Sequence, residues 1–425
     1  MGTKRKILIG AVALALCAPL AYTQASASES GPQPAPAVVA PVPTLPPPAR
    51  SSVSEQQERS EIAKMQKDAG VPTCVVSCWK RVETPPVIEG ASSFTPPAND
   101  GATTSGFADG GSIFGVDHPA GFPNYCLPAN AEKNVWWFYR TDSCMYEQYY
   151  MVLVDNKGKP TGSERVRAWN WIIPNRKDDV WTYNFRMNVD EWVGTAEKTQ
   201  DIKAIPTCAN CKKVTHVENP SNKPLRLTPW RIQKATFKIT PKLTTDVERS
   251  TFKMGILFSA PQNPETFPGV DSHPRSSEVR CDRTTVVNKK HAPGCVMADY
   301  PGLFFIDVNR EKSKPWAQHV KRAQIELPDH WGLYGHGPIL SRTRIATEIE
   351  DNRKVSCPRG ERPDGLTCDE YPFASTRQGG GFVGRSRISV DWITGSSNSS
   401  GGGLLGAFYR DQRMLNKNPF WVIPN

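Results

Sequence analysis

Apolar and polar residues alternate along much of the chain between residues 134 and 258. In the clearest stretch the apolar set is Trp181, Tyr183, Phe185, Met187 and Val189, and the polar set is Thr182, Asn184, Arg186 and Asn188. Successive side chains of a β-strand point to opposite faces, so a period of two predicts a half-buried strand. The pattern returns at residues 235–239 and 252–258. Residues 155–158, Asp-Asn-Lys-Gly, follow an apolar run as a hairpin turn would. Several strands joined by polar turns predict an all-β sandwich-like domain over residues 131–262.

The pattern changes in residues 283–425, where helical and strand signals are mixed. Pro315 stands in the first turn of a predicted helix, on which Trp316, Val320 and Ala323 share one face. A second helix is predicted within residues 342–354. Alternation at 388–392 and an apolar run at 420–423 predict strands. This part of the chain is therefore expected to be an α+β domain.

The N-terminal segment has the features of an export signal. Three basic residues at positions 4–6 precede an apolar run over residues 7–21, and Ala25-Ser26-Ala27 supplies the small residues of a cleavage site. We interpret residues 1–27 as a signal peptide and residues 28–130 as a tether and irregular region rich in Pro, Gly and Ser. Cys17 leaves a lipoprotein alternative open. The apolar run is too short for a membrane span, so we expect no transmembrane segment in the mature chain.

Composition narrows the class of protein. The chain has 425 residues, of which 38% are hydrophobic and 70 are Gly or Pro. These values exclude a polytopic membrane protein and a coiled coil, and an aromatic content of 9% excludes disorder throughout. The formal net charge of +10 favours a polyanionic partner without identifying it.

Cysteine usage is consistent with export. Removal of Cys17 leaves ten cysteines, and disulfides are favoured in oxidising compartments. The spacings suggest local pairs: Cys74–Cys78, Cys126–Cys144, Cys208–Cys211, Cys281–Cys295 and Cys357–Cys368. The Cys208–Cys211 spacing also fits half of a zinc site, although no second pair stands at a matching distance.

Four segments near the C-terminus carry candidate chemistry. They are Cys368-Asp369-Glu370-Tyr371-Pro372 with the four residues that follow, the Gly/Ser-rich stretch 396–403, the segment 405–410, and the ending Asn418-Pro419-Phe420-Trp421-Val422. In order and spacing these segments resemble the NucA/NucB deoxyribonuclease family, and the long secreted actinobacterial members look most similar. The resemblance covers about 130 residues and implies a ββα-metal-like nuclease fold.

The resemblance also implies a set of site residues. Asp369 would be the general base, Glu370 would hold a divalent metal ion, Mg²⁺ or Mn²⁺, and Asn398 would orient water, metal or phosphate. Adjacent carboxylates suit this chemistry because they point in different directions. Arg377, Arg385, Arg387 and Arg410 are candidates for binding substrate phosphates. His319 is interpreted as a packed structural histidine, and the 396–403 stretch as a loop.

Three positions depart from the family pattern. Ser397 stands where relatives usually carry an acidic residue, Gly401 where many carry Gln, and Phe408 where other members have a polar or acidic residue that helps to hold the metal. These departures leave a degenerate nuclease domain as an alternative.

The sequence therefore predicts a secreted, monomeric endonuclease that acts on extracellular DNA. Its activity is expected to depend on a metal ion and not on the DNA sequence. The alternative is a secreted protein that binds DNA, another polyanion or the cell wall, through a degenerate nuclease domain and the β domain.

Overall fold

The computed structural model describes residues 49–50, 77–82, 84, 86, 88, 93–94, 119–196, 200–218, 225–227, 232–259, 269–272, 278–283, 292–358, 360 and 362–425. All of them belong to one compact unit that extends to Asn425. The predicted signal peptide, Cys74 of the predicted pair Cys74–Cys78 and most of the predicted tether lie outside the described residues.

The first part of the fold is built almost entirely of strands. They are β1 (Ala49–Arg50), β2 (Ser77–Val82), β3 (Ser93–Phe94), β4 (Trp137–Phe138), β5 (Ser143–Asp155), β6 (Pro160–Pro174), β7 (Trp181–Gly194), β8 (Gln200–Ala209), β9 (Cys211–Glu218), β10 (Leu225–Leu227), β11 (Gln233–Pro241), β12 (Val247–Phe258), β13 (Gly269–Ser272), β14 (Val279–Asp282) and β15 (Gly294–Val296). One sheet has the order β1-β4-β5-β6-β7-β11-β9, with β2 beside β5 and β3 beside β7. A second sheet has the order β10-β8-β12-β14-β15, with β13 beside β12.

These two sheets pack face to face as the alternation predicts. Trp181, Tyr183 and Phe237 of the first sheet meet Phe252 of the second, with ring centroids 6.2, 4.6 and 5.3 Å apart. The four side chains are fully buried, and the polar residues between them lie on the opposite face of the first sheet. The β-sandwich expected from the sequence is present.

Local features of the sandwich also follow from the sequence. Asp155 ends β5 and its Oδ1 accepts hydrogen bonds from the backbone N–H groups of Lys157 and Lys159, which closes the predicted hairpin. The predicted pairs Cys126–Cys144, Cys208–Cys211 and Cys281–Cys295 are disulfides, so Cys208 and Cys211 are not half of a zinc site. The predicted domain boundary at residue 283 falls inside the hairpin of β14 and β15.

The C-terminal part mixes helices and strands. The strands are β16 (Gly302–Ile306), β17 (Leu340–Ser341), β18 (Leu366–Tyr371), β19 (Ser389–Thr394) and β20 (Pro419–Pro424), and the α-helices are α1 (Lys314–Glu326), α2 (Ala346–Ser356), α3 (Gly380–Val383) and α4 (Gly395–Asp411). β20 lies between β16, to which it is parallel, and β17, to which it is antiparallel. β18 and β19 form an antiparallel pair, and α4 follows β19 directly. The α+β expectation is confirmed, including the shared buried face of Trp316, Val320 and Ala323 on α1.

The Gly/Ser-rich stretch 396–403 is not the expected loop. It forms the first turns of α4, whose N-cap residue Thr394 accepts a hydrogen bond from the backbone N–H of Ser397. Further along, Leu405, Phe408 and Tyr409 are buried at helical spacing. Packing of this apolar face outweighs the low helix propensity of the Gly and Ser residues.

A cluster of buried arginines joins the sandwich to the C-terminal part. Arg140 and Arg280, from the sandwich, donate to Asn418 Oδ1 at 2.8 and 2.9 Å. Arg413 follows α4 and donates to Asp282 of β14. The three arginines are 2–3% exposed, and Arg140 also donates to the backbone carbonyls of residues 298, 300 and 412. The segment between α4 and β20 is thus held by side chains of the sandwich.

Candidate functional site

The adjacent carboxylates of β18 lie on opposite faces of the strand. Asp369 is directed at α1, where His319 Nδ1 lies 2.6 Å from Asp369 Oδ2. Glu370 is directed the other way, and its Oε2 lies 3.7 Å from Cys357 Sγ in the Cys357–Cys368 disulfide. The backbone N–H of Ala374 donates to the Glu370 carboxylate. The disulfide therefore fixes the strand at the residue before Asp369 and also forms one wall around Glu370.

Burial controls the protonation of both carboxylates. Asp369 is 5% exposed, and burial raises its pKa, while the hydrogen bond and the charge interaction with His319 act in the opposite direction. Burial, and then the neighbouring Asp369, raise the pKa of Glu370 to about 7, against the opposing effect of Arg353. Near neutral pH the Glu370 carboxyl is therefore close to its midpoint, and a bound cation would favour its ionised form.

Asn398 lies in the first turn of α4 and faces β18. Its Nδ2 donates to the backbone carbonyl of Cys368 at 2.8 Å and to Thr367 Oγ1 at 3.3 Å. These bonds fasten the N-terminus of α4 to the strand that carries Asp369 and Glu370. The Asn398 Oδ1 atom forms no hydrogen bond with the described residues, so it remains available to a metal ion or to water.

His319 and Ser389 extend this constellation. His319 is fully buried, as expected of a packed histidine, but both of its ring nitrogens are engaged by side chains of the β18–β19 pair. Nδ1 contacts Asp369, and Nε2 lies 3.0 Å from Ser389 Oγ. Sequence reasoning did not connect these residues because 50 and 70 positions separate His319 from its two partners. The nearest sequence signal was the place of His319 on the buried face of α1.

The four candidate arginines have different surroundings. Arg385 is exposed and forms no ion pair with the described residues. Arg387 is bound to Asp329 through two hydrogen bonds of 2.8 and 2.6 Å, and the Arg377 guanidinium lies 5.4 Å from the centre of the Phe382 ring. Arg410 is exposed near the end of α4, about 18 Å along the helix from Asn398. Arg385 and Arg410 are thus the two exposed candidates that form no ion pair with the described residues.

The donor atoms around β18 suit a hard divalent cation. Glu370 lies close to both sulfurs of Cys357 and Cys368, but these atoms form a disulfide and are not thiolate ligands. The useful donors are oxygens, from the Glu370 carboxylate and the Asn398 amide. Oxygen ligands are those that Mg²⁺ and Mn²⁺ prefer, and Mg²⁺ usually retains several waters. By donor type, the Glu370 carboxylate and the Asn398 amide oxygen are therefore ligands that such an ion accepts.

The three departures from the family pattern have structural roles here. Ser397 is buried, and its Oγ accepts a hydrogen bond from the backbone N–H of Trp316 at 3.2 Å. Gly401 packs directly on the Trp316 ring. Phe408 lies in the core, stacked on Phe304 with ring centroids 4.7 Å apart. These positions hold α4 against α1 and the small sheet, so none of them supplies a metal ligand.

The C-terminal part thus has an antiparallel strand pair followed by a helix, with adjacent carboxylates on the first strand and an amide oxygen on the helix. Residues 341–423 match the family model described as Deoxyribonuclease NucA/NucB. This segment of the C-terminal part is therefore similar to the NucA/NucB deoxyribonucleases, and the match supports a nuclease domain there. The match includes Asp369, Glu370 and Asn398 but begins after α1. No curated protein matches the chain. Among the described residues, no helix is both long enough and apolar enough to cross a membrane.

Proposed function

We propose that the protein is a secreted, metal-dependent endonuclease that hydrolyses phosphodiester bonds of extracellular DNA without sequence preference. The observation that carries the proposal is that Asp369 and Glu370 stand next to each other on β18 and that Asn398 bonds to the preceding residue, Cys368, all within the segment that matches the deoxyribonuclease family.

Asp369 acts as the general base. His319 engages its Oδ2, and the carboxylate takes the proton from the attacking water. Glu370 would hold the divalent ion, and the Asn398 Oδ1 atom would orient water, the ion or the phosphate. The ion would neutralise charge on the phosphate and on the leaving oxygen. Arg385 contacts a backbone phosphate of the substrate, and such contacts are independent of base sequence.

Two observations support action outside the cell. Disulfides persist mainly in oxidising compartments, and four are present among the described residues. The excess of basic residues favours attraction to a polyanion, and this attraction weakens as the salt concentration rises.

The proposal is tested by nicking of supercoiled plasmid with Mg²⁺, with Mn²⁺ and with EDTA. We expect EDTA to abolish nicking and Asp369→Asn to reduce its rate by about 10²–10⁴-fold, the usual contribution of a general base. Glu350→Gln is the matched control because it removes an exposed carboxylate from α2 of the same domain. Undiminished nicking by Asp369→Asn would refute the assignment of the base.

The alternative is a binding protein with a degenerate nuclease domain. It is tested by measuring DNA binding and strand cleavage with the same protein preparations. Salt-sensitive DNA binding by the folded, oxidised protein, with no strand cleavage in either metal, would favour it. A parallel assay on single-stranded RNA of matched length determines whether the preference is for DNA.

A further inference from the structure

The imidazole of His319 connects the two strands that carry the candidate site. On one face of the strand pair, Asp369 lies opposite Asp391, and Ser389 lies opposite Tyr371. The ring of His319 enters this face from α1, with Nδ1 at 2.6 Å from Asp369 and Nε2 at 3.0 Å from Ser389. One fully buried side chain thus contacts both strands and has no ring nitrogen left over.

The hydrogen-bonding capacity of these groups fixes the orientation of the imidazole. An ionised carboxylate can only accept, so Nδ1–H donates to Asp369 Oδ2. Nε2 then accepts from the hydroxyl of Ser389. This arrangement selects a single tautomer and leaves the ring one orientation.

The helix that carries His319 is itself held at both ends of its buried face. Near its start, the backbone N–H of Trp316 donates to Ser397 of α4. Further along, Gln324 Nε2 donates to the hydroxyl of Tyr371 at 2.9 Å and to the backbone carbonyl of Val422 at 3.1 Å. The position of His319 relative to β18 is therefore set by contacts on either side of it.

The remaining charged groups near this face do not compete for His319. The carboxylate of Asp391 is engaged by Arg322 of α1, whose Nη2 lies 2.6 Å from Asp391 Oδ2. Asp369 is therefore the carboxylate that meets the imidazole directly.

We infer that His319 is a positioning residue for the general base Asp369, and that Ser389 positions His319 by bonding to its other ring nitrogen. This inference rests on the proposed function, and it concerns a helix that lies outside the segment matching the family model. His319 holds Asp369 Oδ2 and thereby fixes the orientation of the carboxylate, and Ser389 prevents the ring from turning away.

Two amide substitutions test the roles of the two ring nitrogens of His319 one at a time. In His319→Asn the amide nitrogen stands near the place of Nδ1 and can still donate to Asp369. In His319→Gln it stands near the place of Nε2 and reaches Ser389 instead. We expect His319→Gln to lower kcat for plasmid nicking by ~10²-fold, within the range for loss of an acid–base function, while KM changes little. His319→Asn should recover most of that loss.

Ser389 is less buried than His319 and allows a second test. Ser389→Ala should lower kcat by about tenfold, as removal of an outer partner of a functional histidine commonly does, and Ser389→Thr should retain activity because the hydroxyl remains. DNA affinity in EDTA and the thermal midpoint of each variant are measured in parallel.

The outcomes distinguish this inference from the proposed function. If Asp369→Asn cleaves like the wild type, the assignment of the base fails. If Asp369→Asn is inactive but His319→Gln and Ser389→Ala keep the wild-type kcat, the positioning role is refuted and the assignment of the base stands. If the two amide variants have the same thermal midpoint and only His319→Asn is active, the result supports a positioning role for His319 and not a role in packing alone. Equal loss of kcat in both, with equal loss of stability, would overturn it.

Discussion

Replacement of Gly401 by alanine should destabilise the protein, although alanine is the better helix former. A Cβ atom at this position would lie well inside the contact distance of three atoms of the Trp316 indole, where carbon atoms normally stay about 3.5–4.0 Å apart. The ring cannot move away easily: it is 2% exposed and stacks on Phe373 with centroids 6.0 Å apart. Gly402 is the matched control because a Cβ there meets no atom within 4 Å.

The magnitude follows from two opposing effects. Gly→Ala inside a helix contributes about 0.8–1.0 kcal/mol, and this gain is common to both positions. Overpacking a well-filled core costs about 1–3 kcal/mol, and this cost arises at Gly401 alone. We therefore expect Gly402→Ala to raise the free energy of unfolding by about 1 kcal/mol. The free energy of unfolding of Gly401→Ala should be about 1–3 kcal/mol lower than that of Gly402→Ala.

The assay is urea unfolding of wild type, Gly401→Ala and Gly402→Ala, followed by far-ultraviolet circular dichroism under oxidising conditions. Because helix propensity cancels between the two variants, their difference isolates the contact with Trp316. Equal stabilisation by both substitutions would show that α4 does not approach α1 as closely as described.

Two further predictions concern β18. The pKa of Glu370 is about 7 in the folded state and 4.5 ordinarily. The protonated Glu370 side chain therefore contributes fully to stability below pH 4.5, and this contribution is lost as the pH rises through 7. Glu370→Gln should therefore raise the thermal midpoint in EDTA at pH 8 and not at pH 4.5, and an equal effect at both pH values would contradict this. Replacing Cys357 and Cys368 together by serine should cost about 2–3 kcal/mol, and it should also depress nicking because the bridge adjoins Asp369. The double replacement of Cys126 and Cys144 is the control, with a similar loss of stability and retained nicking.

The sequence predicted those elements whose signal is local. Alternation over 181–189 gave a strand of the sandwich, and helical spacing gave the buried face of α1, because each pattern depends only on which side of the element is covered. The adjacent carboxylates Asp369 and Glu370 were found for the same reason, since their motif is contiguous.

Features that depend on contacts between distant segments were not predictable. The 396–403 stretch has the composition of a loop, and only its packing against Trp316 explains why glycine is needed inside a helix there. The partnership of His319 with Asp369 likewise exists only once α1 has docked on β18. In both cases the information lies in the tertiary fold and not in the residues next to the site.

The buried arginines between the sandwich and the C-terminal part bear on how this chain can evolve. Arg140 and Arg280 come from one half, Arg413 and Asn418 from the other, and each group needs its counterparts to remain bonded inside the protein. An unpartnered buried guanidinium is strongly disfavoured, so neither half can be exchanged with a relative by recombination unless its counterparts travel with it. The inherited unit is thus larger than the segment by which the family is recognised, and the two halves are constrained to change together.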